Sequence, residues 1–237
     1  WNVITGDGTD TAAGQGNGNR EAQYYTNENH YVADGNLVMT AKHQPYGEKE
    51  QEKGIFTSTK LTTQGKADFL RGRFEARIKL PKGQGLWPAF WLMPTDSEYG
   101  NWSASGEIDI MENRDYMEKS LGQLHFGRTY PKTDNLLLYE GGLCYRDDVD
   151  DYSADFHVYA LEWEVDKMRW FIDGRMFCER SYWYAADDDG KKYDFPAPFD
   201  KHFYPVLTLA VGGVFTGGPI DVDALPQSMY VDYIRIY

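Results

Sequence analysis

The chain has 237 residues, enough for one domain with a sizeable core, and 16% of them are aromatic. Its 24 basic and 37 acidic residues leave a net charge of −13, which disfavours nucleic acid, anionic membranes and strongly anionic polymers as partners. No apolar run reaches the roughly 18 residues of a membrane-spanning helix, so no membrane insertion is expected.

Short strand-like runs follow a loop-like first stretch that is rich in Gly, Asn and Asp. They lie at 21–26, 36–42, 54–61, 69–80, 156–165, 168–174, 203–213 and 230–237. Within 69–80, apolar Phe74, Ala76, Ile78 and Leu80 alternate with charged residues, which predicts a strand with one buried face. Helical periodicity is nearly absent, with one helical turn expected within 223–228. Many short strands in one domain, residues 1–237, predict an all-β sandwich or barrel.

Turn signals separate several of these runs. Asp34-Gly35 and Asp173-Gly174 are typical turn dipeptides, and Asp166-Lys167 between two apolar runs predicts a hairpin. Two polar stretches, 43–53 and 185–194, are expected to be solvated loops.

The cysteine content is low. Cys144 and Cys178 are the only two, and no metal-ligand spacing surrounds them, so a zinc site is not expected. They form either one disulfide or two buried thiols; the sequence does not decide, and we slightly favour the thiols.

The stretch GEIDIMEN, residues 106–113, places three carboxylates within six residues of an otherwise apolar run. On a regular strand Glu107 and Asp109 share one face, but Glu112 would point to the apolar face, where an unpaired charge is costly. A β-bulge at Ile110-Met111 would restore the phase and return Glu112 to the carboxylate face. The spacing therefore predicts three aligned carboxylates on a bulged strand.

Three carboxylates on one face raise at least one pKa, because they cannot all ionise cheaply. A pair with separated pKa values is what a glycosidase uses, and retention requires the two groups to lie roughly 5–5.5 Å apart. A calcium site, a structural acidic cluster or an exposed edge strand would also explain three acids alone.

The motif E-x-D-x-x-E, preceded by Gly and a Trp-rich segment, resembles the active-site strand of family 16 glycoside hydrolases in their bulged, laminarinase-like branch. The segments 73–94, 159–174, 198–213 and 230–237 extend the resemblance over most of the chain. It implies a β-jelly-roll sandwich of two curved antiparallel sheets with a concave substrate cleft. It also implies hydrolysis of β-1,3-glucan with retention, with mixed β-1,3-1,4-glucan as a further substrate.

The resemblance also implies roles for individual residues. Glu107 matches the nucleophile, Asp109 its helper and Glu112 the general acid/base. Trp91, Trp102, His125, Asn19 and Arg77 match substrate-binding positions. Trp87 we expect in the core.

Some relatives hold a structural Ca²⁺, which here would lie near Gly35 and Asp232, although the family's first strand is absent ahead of Trp1. No cofactor is required. The chain has no initial Met and no signal peptide, as in a mature protein, and we expect a secreted monomer that binds a polysaccharide.

Departures from the family pattern leave specificity open. Asn17, Thr208, Phe215 and Thr216 replace the usual Trp, Asn, Trp and Pro of cleft-lining segments. One alternative is the same chemistry on a β-galactan such as agar or porphyran. Another is a non-catalytic glucan-binding protein, which is disfavoured because such proteins typically lose the acids.

Overall fold

The computed structural model describes residues 1–11, 14–46, 56–129 and 144–237. Within them, seven strands form one sheet in the order β1 (Asn2–Ile4), β6 (Lys60–Thr62), β15 (Phe203–Val211), β8 (Leu86–Pro94), β9 (Glu107–Glu112), β10 (Ser120–His125) and β11 (Cys144–Arg146).

Nine described strands form the second sheet. The order is β14 (Arg175–Arg180), β13 (Met168–Ile172), β12 (His157–Trp163), β7 (Gly72–Lys79), β16 (Gln227–Ile236), β4 (Asn36–His43), β5 (Phe56–Ser58) and β2 (Tyr24–Tyr25), with β3 (His30–Ala33) paired to β4. Pairing is antiparallel except between β2 and β5. Helical structure in the described residues is limited to 3-10 turns at Gln15–Gly18 and Val222–Ala224, the second overlapping the predicted turn.

The core lies between the two sheets. Phe74, Ala76 and Ile78 of β7 are fully buried and Leu80 nearly so, which confirms the predicted alternation. Large aromatic side chains fill the space between the sheets: Trp163, Trp170, Tyr159, Phe90 and Phe203. Burying one large apolar side chain contributes about 1.5–3 kcal/mol, so this layer is the main favourable term in folding.

The predicted turns are confirmed. Asp34 and Gly35 both have positive φ, 50° and 79°, and close the hairpin between β3 and β4, in which Ala33 pairs with Asn36. The β12–β13 hairpin turns at Asp166-Lys167, with the Glu164 amide donating to the Lys167 carbonyl.

The two polar stretches differ from the expectation of fully solvated loops. In 185–194, Ala185 and Ala186 are buried, and Ala185 forms a bridge with Gly127. Most of 43–53 lies outside the described residues.

The slight preference for free thiols is wrong, because Cys144 and Cys178 form a disulfide with a Cα–Cα distance of 5.9 Å. Cys144 lies on β11, at the edge of the seven-stranded sheet, and Cys178 on β14, at the edge of the nine-stranded sheet. The disulfide therefore links the two sheets along one side of the sandwich.

The outer face of the nine-stranded sheet carries an ion-pair network of interleaved Arg and Glu residues on β7, β12, β13 and their neighbours. Arg73 contacts Glu162 at 2.9 Å, and Arg169 lies 3.5 Å from Glu162 and 2.8 Å from Glu179. Charged side chains occupy this face because the alternating apolar residues of the same strands point into the core.

Candidate active site

Strand β9 contains the predicted bulge. Asp109 pairs with Gln123 and Glu112 with Leu121, so two residues of β9, Ile110 and Met111, lie opposite the single residue Gly122 of β10. Ile110 and Met111 both belong to the buried core cluster. The extra residue thus keeps two consecutive apolar side chains inside and returns Glu112 to the face of Glu107 and Asp109.

Each of the three carboxylates has its own set of polar neighbours. Glu107 accepts a hydrogen bond from the Trp102 indole N–H at 3.0 Å, and Glu112 accepts one from the Trp87 indole N–H at 2.9 Å. Asp109 is 2% exposed. His125 on β10 places Nε2 3.5 Å from Glu107 Oε1 and 3.3 Å from Asp109 Oδ2. The imidazole therefore lies within ion-pair distance of the first two carboxylic groups, and Gln123 Nε2 lies 2.7 Å from the same imidazole nitrogen. The third carboxylic group accepts from a different indole.

Burial is the main cause of the raised pKa values at this site. It raises the pKa of Glu107, Asp109 and Glu112 to about 8 each. Repulsion from Asp109 adds to the rise at both glutamates, and the His125 imidazole and the indole hydrogen bonds oppose it. Because the groups interact, they titrate as a set, and the site holds protons at neutral pH that exposed carboxylates would have lost.

Strand β8 lies beside β9 and supplies two tryptophans to this face. Trp91 pairs in register with Asp109, and its indole N–H donates to Thr208 Oγ1 at 3.2 Å. The expectation that Trp87 lies in the core is wrong: it is half-buried, donates to Glu112 and packs against Phe215, with ring centroids 5.0 Å apart. Trp87 and Trp91 lie four residues apart on the same strand, and alternate residues of a strand share a face. The position of Trp87 on the carboxylate face could have been predicted from this spacing.

Trp102 precedes β9 in a loop and is 39% exposed. Its ring centroid lies 5.3 Å from that of His125, so it forms an open aromatic wall beside Glu107.

Asn19 lies next to the Trp87 side of this face. Its carbonyl accepts from the Val214 amide at 2.8 Å, and its side chain donates to Glu21 at 3.3 Å. Glu21, which the sequence reasoning did not single out, also accepts from Asn17, Gln23 and Tyr25. The Asn19 side chain is therefore held by Glu21 at the border of the site.

Lys60 on β6 is a second residue that the sequence reasoning missed. Its ammonium lies 5.2 Å from the Trp91 ring centroid, and burial lowers its pKa although the charges of Glu21 and Glu107 oppose this. Lys60 pairs in register with Thr208 of β15. The local sequence of β6 does not indicate that Lys60 lies beside Trp91, because this contact depends on the order of the strands in the sheet.

The expectation that Arg77 binds substrate is wrong. Arg77 lies on β7 of the nine-stranded sheet, opposite in parity to core residues Ala76 and Ile78, so it projects away from the carboxylate face. It contacts Asp232 at 2.9 Å and stacks over Phe156. Its guanidinium therefore belongs to an ion pair on the outer face of this sheet.

The same ion pair bears on calcium near Gly35 and Asp232. The Asp232 carboxylate already contacts the Arg77 guanidinium, whose positive charge opposes a second cation there. A structural Ca²⁺ near Gly35 and Asp232 stays a prediction, and its binding would require Asp232 to give up this ion pair. Elsewhere in the described residues, ligand atoms of Glu107, Asp109 and His125 lie within 4.8 Å of one another, and His125 Nε2 itself lies 3.5 and 3.3 Å from the two carboxylic groups.

The fold and the site define a class of protein. Two packed sheets present carboxylic groups on one face, flanked by indole rings that suit the apolar faces of sugars, and paired carboxylic groups are the catalytic groups of glycoside hydrolases. The model of the family "Glycosyl hydrolases family 16" matches residues 17–202. The chain belongs to this family.

Similar proteins are known by sequence and by structure. The chain is 40% identical to a glucan endo-1,3-beta-glucosidase of Cryptopygus antarcticus, covering 92% of this chain and 81% of that protein. It is 38% identical to glucan endo-1,3-beta-glucosidase A1 of Niallia circulans, over 100% of this chain and 35% of that longer protein. The endo-beta-1,3-glucanase structure from Pyrococcus furiosus superimposes with a TM-score of 0.83 at 34% identity, covering 100% and 87% of the two chains. That relative's fold is therefore shared over the whole chain.

Proposed function

We propose that the protein is a retaining endo-β-1,3-glucanase, with laminarin-type glucan as its substrate and mixed β-1,3-1,4-glucan as a second. The observation that carries the proposal is the alignment of Glu107, Asp109 and Glu112 on one face by the β9 bulge. The endo-1,3-glucanase names of the relatives above support the substrate. A β-galactan is not favoured, because these relatives match over 92% or more of the chain.

In the first step the ionised Glu107 attacks the anomeric carbon, and a covalent bond forms as the glycosidic C–O bond breaks. Glu112 gives its proton to the departing oxygen. Burial raises the pKa of Glu107 and of Glu112 to about 8 each, so the set shares protons near neutral pH, and the reactive state is the one with Glu107 ionised and Glu112 protonated. The Trp102 N–H and the His125 imidazole favour the ionised form of Glu107. In the second step Glu112, now ionised, takes a proton from water, and that water displaces Glu107 with net retention.

The indole rings of Trp91 and Trp102 supply apolar walls for glucose rings, since sugars expose C–H faces. Asn19 and Lys60 border the same face and supply hydrogen-bond donors for hydroxyl groups. Asp109 and His125 lie next to Glu107, and the His125 imidazole, 3.5 Å from Glu107 Oε1, helps to hold the nucleophile in place.

We propose that the protein acts outside the cell, as a monomer. The Cys144–Cys178 disulfide supports an oxidising compartment. Among the described residues, no helix has the length and apolar character to cross a membrane.

The test is reducing-end release from laminarin, barley β-glucan, agarose and porphyran at about pH 6, with Glu107→Ala and Glu112→Ala beside the wild type. Glu107→Ala should lower turnover by about 10³-fold or more while circular dichroism stays unchanged. Glu112→Ala should recover much of its first step with an aryl glycoside whose leaving group needs no proton. Full activity in Glu107→Ala would refute the mechanism, and cleavage of a galactan alone would refute the substrate.

A further inference from the structure

A side chain of the nine-stranded sheet crosses the core to the backbone of the catalytic strand. Trp170 of β13 is fully buried, and its indole N–H donates to the Asp109 carbonyl at 2.8 Å. The acceptor is a main-chain atom, so this contact acts on the course of β9 and not directly on a carboxylate.

The acceptor lies at the bulge. Trp91 of β8 pairs with Asp109, whereas its neighbour Phe90 pairs with Met111, so the regular ladder is interrupted between them. Ile110 is the residue without a register partner on either side, and the Asp109 carbonyl belongs to the peptide that joins Asp109 to it. A buried carbonyl at such an interruption requires a donor. The Trp170 indole supplies that donor from the opposite sheet.

The opposite strand leaves room for the indole. Gly122 of β10 lies between Leu121 and Gln123, the residues that pair across the bulge. A Cβ atom at Gly122 would lie 2.6 Å from Trp170 Nε1, far inside van der Waals contact. Its φ is not in the left-handed region, so space, and not backbone conformation, is what requires glycine here.

We propose that Trp170 is a positioning residue for catalysis: by holding the Asp109 carbonyl it fixes the bulge, and with it the placement of Glu112 relative to Glu107 and Asp109. This inference deepens the proposed function, because it assumes that these carboxylates perform the reaction. A displacement near 1 Å at a reacting group costs about 10²-fold in rate. A shift of the Asp109 carbonyl that moves Glu112 by this distance should therefore lower kcat.

Trp163 offers a matched control. It is also a buried tryptophan between the sheets, 2% exposed, but its indole nitrogen has no hydrogen-bond partner among the described residues. Trp163→Phe and Trp170→Phe therefore remove the same atoms from similar surroundings, and only the second removes a hydrogen bond.

The experiment measures kcat, KM and the pH dependence of kcat/KM on laminarin for both variants, well below their unfolding temperatures. Trp170→Phe should lower kcat about 10- to 100-fold, leave KM within about twofold and displace the basic limb of the pH profile. Trp163→Phe should change none of these beyond about twofold. Equal kinetic changes in both variants would reduce Trp170 to a packing residue and overturn the proposal.

Two further measurements keep the proposal open to refutation if Trp170→Phe folds poorly or the substrate is wrong. Placing β-(3-benzothienyl)alanine at position 170 keeps the bicyclic shape but has sulfur instead of N–H, and it should reproduce the loss in kcat. Carbon-13 titration of the glutamate carboxyl groups needs no turnover; those of Glu107 and Glu112 should shift in Trp170→Phe and not in Trp163→Phe. Unchanged titrations would overturn this inference alone, whereas inactivity of the wild type on every glucan would overturn the proposed function.

Discussion

Among single residues, Asp109 has the clearest effect on stability. Its pKa is raised by burial from 3.8 to about 8, so the folded protein retains a proton that the unfolded chain releases from about pH 4 upward. Stability therefore falls as the pH rises through this window, because the unfolded state is the better acid. The catalytic face is thus a site where the fold is weakened at neutral and basic pH.

Asp109→Asn should stabilise the protein while impairing hydrolysis. The variant removes the group that must ionise in a buried place, so its unfolding temperature should exceed that of the wild type by about 3 °C or more at pH 8. The gain should be smaller at pH 5, where the wild-type carboxyl is protonated. Thermal unfolding followed by circular dichroism at both pH values measures this, and a gain that is larger at pH 5 would contradict the assigned shift.

Trp87→Phe should move the basic limb of the kcat/KM profile to higher pH. The indole N–H lowers the pKa of Glu112 by bonding its ionised form, so losing this hydrogen bond raises that pKa. A net hydrogen-bond contribution of about 1 kcal/mol corresponds to roughly 0.5–1 pH unit.

Arg77→Gln is the control for Trp87→Phe, because Arg77 lies on the outer face of the other sheet. It should leave the profile and kcat/KM unchanged. A loss of substrate affinity in this variant would restore the role that its sequence position first indicated.

At the level of strands, the local sequence pattern was enough to predict a strand where one of its faces is buried and the other is charged. The alternation in β7 and the two-then-three spacing in β9 predicted both strands and the bulge, since each depends only on side-chain parity. Strand β8 was not predicted from periodicity, because its run of Trp, Pro and Phe is apolar on both faces. A strand that has neighbours on both edges and apolar residues on both faces lacks the alternation of apolar and polar residues from which a strand is predicted.

The three carboxylates were predictable because they lie on one strand. Lys60 and Glu21 were not, since they reach the same face from other elements, far apart in sequence. The Cys144–Cys178 pairing was missed for the same reason: it depends on which strands end the two sheets.

The disulfide should contribute to stability and not to activity. It closes a separation of 34 residues, for which chain entropy gives about 3–4 kcal/mol, or roughly 7–15 °C in unfolding temperature. Cys144→Ser combined with Cys178→Ser, and reduction of the wild type, should lower the unfolding temperature alike. At 25 °C kcat/KM should stay within about twofold, and a reduced wild type with an unchanged melting curve would contradict this.

For the molecule as a whole, the net charge of −13 should make the salt dependence of kcat/KM different for neutral and anionic substrates. Laminarin is uncharged, so kcat/KM on it should be constant between about 20 and 300 mM NaCl. A sulfated galactan would be repelled, and any activity on it should rise as salt screens the charge. Stopped reducing-sugar assays across the salt series measure this, and a steep salt dependence with laminarin would indicate that local charges govern its binding.

The ion-pair network outside the nine-stranded sheet has a consequence at high temperature. An isolated surface pair contributes little at 25 °C, but the hydration penalty of charged groups falls on heating, so a network in which Arg73 and Arg169 share Glu162 gains in relative weight. One broad surface of the sandwich thus carries the three carboxylic groups, and the opposite one interleaves both signs of charge and resists heat. Substitutions in this network should therefore change the resistance to heat with little effect on the catalytic face.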